Sequence, residues 1–289
     1  MIPSTLRQLM DDTNEERLVQ WQGRDIWLFN AAWGELVVSL QGAQVLHFAP
    51  SGGSDWLWLT PTPKDLPGTL RGGIPLCWPW FGDERFADES AERDGPFHGL
   101  SRQALWRLEA ADEHEEGIEL HLSPETRLHS LLVPRVVIQA NAQRLHVELI
   151  SENRGDTPVK MSAALHSYLA VKDVHQCRLS GLAGARYLDK LKGFAEGEQQ
   201  GELAVRGEVD RIYHTNNELR LDDGQRVMRI AKQSSDSTVV WHPDTTLPAD
   251  IPMQAARQFL CVEAANTRLD PVWLVPGAQH MLGTTLSLA

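Results

Sequence analysis

The feature that most limits the possible folds is a repeated two-residue alternation of apolar and polar side chains. This alternation is typical of strands that bury one face. Turn-forming residues separate the segments, as in Asn153-Arg154-Gly155-Asp156-Thr157-Pro158. The alternation is clearest in 144–152, where Leu145, Val147 and Leu149 have polar neighbours. All the strand-like segments are 25–30, 35–40, 43–48, 104–110, 117–122, 131–140, 144–152, 159–171, 226–231, 237–242, 259–264 and 281–288. So many strands without alternating helices predict an all-β fold, a large antiparallel β-sandwich or barrel.

Only the start of the chain and one short segment near residue 255 depart from this pattern. The N-terminal residues up to about Asn14 are expected to form a short helix, and 253–258 a second one. The N-terminal helix would have a capping residue and then apolar residues at helical spacing: Ser4 or Thr5, followed by Leu6, Leu9 and Met10. No linker or fixed-period repeat follows. We therefore expect a single domain over 1–289, with a helical extension over 1–17 and a β-sandwich over 18–289.

Composition excludes several classes of partner. The 289 residues carry a formal net charge of -12, which argues against nucleic acid, since that binding depends on neutralising phosphates with Lys and Arg. No apolar run approaches the roughly 20 residues of a membrane span, and no signal peptide is recognisable at the N-terminus. The expected location is the cytoplasm, and the expected oligomeric state is a monomer or weak homodimer.

Several common chemistries also lack their motifs. The three cysteines, Cys77, Cys177 and Cys261, are widely spaced and show no Cys-x-x-Cys pair, so reduced thiols are expected. The 11 histidines include no His-x-His and no His-Glu-x-x-His, so no metal site is predicted, although ligands assembled across strands would escape this test. No glycine-rich nucleotide fingerprint and no Gly-x-Ser-x-Gly elbow is present.

One stretch suits neither a helix nor a regular strand. It reads Arg71-Gly-Gly-Ile-Pro-Leu-Cys-Trp-Pro-Trp-Phe-Gly82 and combines three glycines, two prolines and three large aromatic residues. Its Arg-Gly-Gly start could present a guanidinium and backbone N–H groups to an anion. A rigid aromatic turn that closes the end of a β-fold explains the same composition.

Two ionisable residues interrupt apolar strands. His166 lies within Ala-Ala-Leu-His-Ser-Tyr-Leu-Ala and Glu263 follows Phe-Leu-Cys-Val. Burial tends to raise the pKa of a carboxyl group toward the range of a general base, and a buried His can transfer protons. The alternatives are a hydrogen-bonded core histidine and a structural ion pair. A third candidate, His98, lies in a tight turn four residues before Arg102, where a capping His and a solvated Arg are the simpler interpretation.

Taken together, these motifs resemble the glucose-6-phosphate 1-epimerases, a branch of the aldose 1-epimerase superfamily. The resemblance runs from about Trp21 to the C-terminus. The motifs occur in the family's order: Arg71 to Gly82, His98-Gly-Leu-Ser-Arg102, Ala-Leu-His166-Ser-Tyr, Gly207-Glu-Val-Asp210-Arg-Ile-Tyr213, Trp241-His-Pro243 and Cys261-Val-Glu263.

The resemblance implies a galactose-mutarotase-like β-sandwich that interconverts the α and β anomers of a hexose 6-phosphate, without a cofactor or metal. Its general acid would be His166 and its general base Glu263. The remaining implied substrate contacts are His98, the sugar-contacting Asp210, and the phosphate-binding Arg71 and Arg102. Lys190 is a weaker match with an open role.

Some features leave alternatives open. Trp78 or Trp80 could cover the apolar face of the sugar or pack against the sandwich rim. The long acidic loop over 83–95 could border the site, so the preferred hexose 6-phosphate is not fixed. A non-catalytic carbohydrate-binding module remains the chief alternative function. A glycoside hydrolase that pairs Glu263 with Asp210 is a weaker one.

Overall fold

The computed structural model describes residues 2–13, 16–83, 95–268 and 270–289. The strands in these ranges are β1 (Arg17–Trp21), β2 (Arg24–Ala31), β3 (Gly34–Ser39), β4 (Gln44–Pro50), β5 (Leu76–Cys77), β6 (Trp106–His114), β7 (Gly117–Pro124), β8 (Leu132–Asn141), β9 (Arg144–Asn153), β10 (Val159–Met161), β11 (Ala163–Leu165), β12 (Tyr168–Ala170), β13 (Arg178–Ser180), β14 (Arg186–Asp189), β15 (Ala195–Glu198), β16 (Leu203–Ala204), β17 (Val209–His214), β18 (Leu219–Asp222), β19 (Val227–Gln233), β20 (Ser237–His242), β21 (Phe259–Asn266), β22 (Val272–Leu274) and β23 (Gln279–Leu288). The helices are α1 (Ser4–Asp11) and α2 (Met253–Ala256), with short 3-10 turns at Ser101–Gln103, Val174–Gln176 and Lys190–Lys192.

Two large antiparallel sheets form the sandwich. One has nine strands in the order β16-β13-β18-β19-β23-β9-β8-β7-β6. The other has the order β15-β14-β17-β20-β21-β11-β5, with β12 also paired to β21. A four-stranded meander, β1 to β4, and the β10–β22 pair complete the fold. The predicted all-β antiparallel sandwich is confirmed.

Alternation along the strands places the core between the sheets. In β9 the apolar residues Leu145, Val147 and Leu149 are buried while their neighbours are partly exposed, as the sequence predicts. They share one hydrophobic cluster with Val240 and Val262 of the opposite sheet. Burial of these facing side chains is the main force that holds the two sheets together.

The N-terminal helix is shorter than predicted and lacks the predicted cap. α1 ends at Asp11, Pro3 occupies the N-cap position, and no side chain caps the helix. The Thr5 hydroxyl accepts a hydrogen bond from Trp21 Nε1 at 3.0 Å instead, which ties α1 to β1. Leu6 and Met10 are buried, so the predicted apolar face does pack against the meander.

Two other predictions differ from the structure. The segment 159–171 is not one strand but three, β10, β11 and β12, and His166 lies in a break between the last two. The sequence analysis also missed the strands between residues 178 and 222, because these are short and several lack apolar alternation. β15, for example, reads Ala-Glu-Gly-Glu and buries no residue. Most of the predicted acidic loop, over 84–94, lies outside the described residues.

Within the described ranges, no helix has the length and apolar character that crossing a lipid bilayer would require.

Candidate active site

The break between β11 and β12 places His166 opposite Glu263. Leu165 of β11 pairs with Ala264 of β21, and Tyr168 of β12 pairs with Cys261. Two residues therefore lie between these pairs on each side, and His166 and Glu263 are among them. The Ser167 N–H donates back to the Leu165 carbonyl at 2.9 Å, which closes the turn.

Alternation along β21 and β20 selects the face on which the site lies. In β21, Val262 and Ala264 belong to the core between the sheets, so Glu263 points to the outer face of the sheet. Trp241 of β20 faces the same way, because its neighbour Val240 is in the core. A cavity of about 230 Å³ lies there and is lined by Arg71, Phe81, Phe97, His98, His166, Lys190, Asp210, Val239, Trp241 and Glu263.

His166 and Glu263 lie next to each other in the wall of this cavity. His166 Nε2 lies 3.4 Å from Glu263 Oε1, and the two residues are 9% and 1% exposed. Among the described residues, His166 Nδ1 and Glu263 Oε2 have no hydrogen-bond partner. A buried polar atom without a partner is costly, so unpartnered atoms on both residues are expected where a polar ligand completes the contacts.

The cavity disfavours charge on both residues. Burial lowers the pKa of His166 well below 6.5, and the positive charges of Arg102 and Arg71 act in the same direction. Burial also raises the pKa of Glu263 well above 4.5; Asp210 adds to this, whereas Lys190 and Arg102 oppose it. A neutral imidazole beside a protonated carboxyl holds one transferable proton, as does the corresponding ion pair. The pair can therefore move one proton between its members.

A tight turn brings His98 to the same cavity. His98 has φ of 69°, and its ring centroid lies 5.6 Å from that of His166. The Gly82 N–H donates to His98 Nδ1 at 3.1 Å, which places the single proton of the neutral ring on Nε2. Burial lowers the pKa of His98 well below 6.5, and the positive charges of Arg102 and Lys190 act in the same direction. His98 is therefore a neutral hydrogen-bond donor.

The Arg71-to-Gly82 stretch supplies a fixed cation. Arg71 Nε donates to Asp250 Oδ1 at 2.9 Å and Nη1 to the Tyr168 hydroxyl at 3.2 Å. Burial disfavours its charge, but Tyr168 and Asp250 raise the pKa of Arg71 above its usual value. Nη2 makes no hydrogen bond within the described part of the chain, so this nitrogen can still bind a ligand.

The two glycines after Arg71 serve close packing rather than anion binding. A Cβ atom on Gly73 would lie 2.0 Å from the Val45 carbonyl oxygen, and one on Gly72 2.5 Å from Leu59 Cα. The Gly73 N–H already donates to the Trp58 carbonyl at 2.7 Å. The expectation that this backbone presents free N–H groups to an anion is therefore wrong for Gly73, and Arg71 alone carries the positive charge at this point.

Lys190 joins the site through Asp210. Lys190 Nζ lies 2.9 Å from Asp210 Oδ2, and both residues line the cavity. Burial raises the pKa of Asp210, while Lys190 opposes that shift. Asp210 Oδ1 has no hydrogen-bond partner among the described residues, so it is available to a sugar hydroxyl. Lys190, whose role the sequence left open, is a second cation at the cavity wall.

Two residues with an implied binding role lie outside the described cavity lining. Arg102 donates from Nη2 to the Thr69 hydroxyl at 3.1 Å and acts on the His166–Glu263 pair through its charge. Trp80 is buried and donates from Nε1 to the Pro96 carbonyl at 2.9 Å. Their contacts with substrate remain predictions.

The aromatic residues that line the cavity are not Trp78 and Trp80, the two that the sequence analysis considered. Trp241, Phe81 and Phe97 line it, whereas Trp78 is fully buried and hydrogen-bonded to Ser151. The sequence analysis did not single out these three as binding residues. The alternation Val239, Val240, Trp241 along a strand could have placed Trp241 on the outer face.

Comparison with known proteins identifies the family. The family model described as Aldose 1-epimerase matches residues 25–287. This chain belongs to the aldose 1-epimerase family. A relative from Escherichia coli (strain K12), named "Putative glucose-6-phosphate 1-epimerase", is 30% identical over 244 residues, which cover 78% of each chain. A relative of the same name from Cenchrus ciliaris is 26% identical over 271 residues, or 84% of this chain and 78% of that one.

A solved structure supports the same conclusion. The structure titled as a putative mutarotase (YeaD) from Salmonella typhimurium has a TM-score of 0.87 and 25% identity, and the match covers 99% of both chains. The predicted family and galactose-mutarotase-like fold are thus confirmed. This aldose 1-epimerase family member is an isomerase that interconverts the anomers of an aldose. Membership of this family argues against the alternative of a non-catalytic binding module.

The protonation of His166 can be measured directly. Because its pKa lies well below 6.5, we expect its ring to stay mainly neutral at pH 6, where an ordinary histidine is mostly charged. Nitrogen-15 chemical shifts of ring-labelled histidine across a pH titration report this, and His166→Asn assigns the signal by its loss. A midpoint near 6.5 for that signal would contradict the described electrostatics.

Proposed function

We propose that the substrate is a hexose 6-phosphate, with glucose 6-phosphate as the first candidate. The observation that carries the proposal is an acid/base pair, His166 and Glu263, in one small cavity with the fixed cation Arg71. The names of the relatives from Escherichia coli and Cenchrus ciliaris point to the same substrate. A volume of about 230 Å³ is below the usual 300–1,000 Å³ of ligand pockets, which suits a single sugar better than a polysaccharide.

His166 acts as the acid and Glu263 as the base in ring opening. Glu263 as carboxylate takes the proton of the C1 hydroxyl while His166 as imidazolium gives a proton to the ring oxygen. The C1–O5 bond breaks and the C1–O1 bond becomes a carbonyl. Rotation about C1–C2 then presents the other face of the C1 carbonyl to the C5 hydroxyl. Ring closure reverses each proton transfer and gives the other anomer.

The electrostatics of the cavity fit the open-chain stage of this cycle. Ring opening leaves His166 neutral and Glu263 protonated, which are the forms that burial favours. The free enzyme reaches the ionic form when the proton moves from Glu263 to His166 across their 3.4 Å contact. Burial thus favours the protonation states of the open-chain stage, and forming the ionic pair beforehand costs the same free energy that ring opening then returns.

Arg71 binds the 6-phosphate in this proposal. Asp250 and Tyr168 fix its guanidinium, so little side-chain freedom is lost when a phosphate binds. A charge-assisted contact to phosphate is stronger than one to a neutral hydroxyl. Arg102 adds positive potential, and Lys190 is a further cation that a phosphate or hydroxyl can meet.

The catalytic pair is tested by anomer exchange. Proton transfer by a positioned side chain typically contributes about 10²- to 10⁴-fold. We therefore expect His166→Asn and Glu263→Gln each to slow the exchange of glucose 6-phosphate anomers by that factor, measured by NMR magnetisation transfer.

The matched control is His214→Asn, which changes an exposed histidine of β17 and should exchange at the wild-type rate. Far-UV circular dichroism confirms that each variant is folded. Absence of acceleration by the wild-type protein would overturn the proposed substrate. A wild-type rate in folded His166→Asn would overturn the assignment of the acid.

Arg71 should control which sugar is used. A hydrogen bond to a charged group contributes about 1.5–3 kcal/mol, so Arg71→Gln should lower kcat/KM for glucose 6-phosphate relative to free glucose by about 10- to 100-fold. The same exchange assay with both sugars gives the ratio of the two kcat/KM values. A variant that impairs the reaction of both sugars equally leaves this ratio unchanged.

Asp250→Asn is the control for this ratio, because it breaks the same ion pair but retains the guanidinium. It should change the ratio less than Arg71→Gln does. An unchanged ratio in Arg71→Gln would contradict phosphate binding by this residue.

A further inference from the structure

A second cluster of ionisable side chains lies behind β20, outside the cavity. It consists of His175 from the 3-10 turn Val174–Gln176, His242 at the end of β20, and Asp244 just after it. One ligand atom from each residue lies within 4.8 Å of the other two. Because Trp241 faces the cavity, the next residue, His242, faces away from it. The cluster is therefore separate from the His166–Glu263 pair.

The described part of the fold provides no hydrogen-bond partner for the ring of His242. It is fully buried, and within the described part of the chain neither Nδ1 nor Nε2 makes a hydrogen bond. Because both ring nitrogens are buried and unpartnered, one of them can offer its lone pair to a metal ion.

The spacing of the donor atoms fits a divalent ion. His175 Nε2 and Asp244 Oδ1 are 3.2 Å apart and hydrogen-bonded to each other, a contact that a bound ion would replace. Tetrahedral zinc with bonds of roughly 2.0 to 2.2 Å separates two ligand atoms by about 3.3 to 3.5 Å. The third donor, on His242, lies within 4.8 Å of both, so a small side-chain movement would bring it to the same distance.

Access and surroundings also permit binding. The side chains of His175 and Asp244 are about a third exposed, so an ion can enter from solvent. Two arginines lie near the turn, but each has its own partner: Arg257 pairs with Asp173, and Arg206 donates to the His175 carbonyl. Asp244 has φ of 48°, a left-handed conformation that holds its carboxylate beside the histidines.

We propose that His175, His242 and Asp244 form a zinc-type metal site in which two imidazoles and one carboxylate leave a fourth position to water. Imidazole and carboxylate donors suit zinc and neighbouring divalent transition ions. The site joins the end of β20 to the turn before β13, two segments that are distant in sequence. The bound ion stabilises the strand that carries Trp241 to the cavity wall and takes no part in the proton transfers.

Another group of possible metal ligands serves as a comparison for the proposed site. Asp112, Glu119 and His121 also lie close together, but on the exposed strands β6 and β7. Both carboxylate oxygens of Glu119 are hydrogen-bonded, one to His121 Nε2 at 2.8 Å and the other to the Gln139 amide at 2.5 Å. None of the three residues is buried, so this cluster has no counterpart of the buried, unpartnered ring of His242. We assign no ion to this cluster, and it supplies the control variant.

Calorimetric titration of tag-free full-length protein with ZnCl₂ tests the proposal. The wild type should bind one zinc per chain, and His175→Ala and Asp244→Asn should weaken this binding by about tenfold or more. Both residues are partly exposed, so these variants should fold, and Asn tolerates the left-handed conformation at 244. His121→Ala should bind as the wild type does.

X-ray absorption at the zinc edge gives an independent readout. The wild type should show two imidazole ligands with nitrogen or oxygen at about 2.0 to 2.2 Å, and His175→Ala should show one. Lack of one-to-one binding, equal affinity in all four proteins, or loss of binding in His121→Ala alone would each overturn the proposal.

Discussion

The site depends on one constraint, the interrupted pairing of β11 and β12 with the continuous strand β21. A continuous strand over 163–170 could make the same number of backbone hydrogen bonds with β21. It would not contain the turn that places His166 opposite Glu263. The break is stabilised from the side, because the His166 N–H donates to the Pro75 carbonyl and the Tyr168 N–H to that of Gly73. The Arg71-to-Gly82 stretch thus determines where His166 lies as well as contributing Arg71.

This constraint explains the glycines of that stretch. Gly73 accepts from β12 while its own N–H donates to Trp58, and no side chain would fit against Val45. The stretch can therefore lie flat between the meander and the broken strand. Arg71 leaves this backbone at the edge of the cavity, where Asp250 holds it. The close packing of this stretch therefore also determines where the Arg71 guanidinium lies.

Much of the fold could be predicted from the sequence, because long strands with one buried face carry a clear two-residue period. β9 is the clearest example, since buried and partly exposed residues alternate along it. β20 was also found at its predicted bounds, although nearly all of its residues are buried. Short edge strands such as β15 carry no such period, since neither face is buried. The approach of His166 to Glu263 depends on register between distant strands, so only the family resemblance indicated it. The His175–His242 contact likewise joins segments that are distant in sequence, and no local sequence motif indicates it.

The structure of the protein with glucose 6-phosphate bound tests the central claim most directly. The paired residues should contact the reacting atoms, with the C1 hydroxyl and the ring oxygen each within about 2.6–3.2 Å of Glu263 and His166, respectively. The phosphate should lie against the Arg71 guanidinium. A sugar bound with C1 away from His166 and Glu263, or with the phosphate remote from Arg71, would contradict the proposed mechanism.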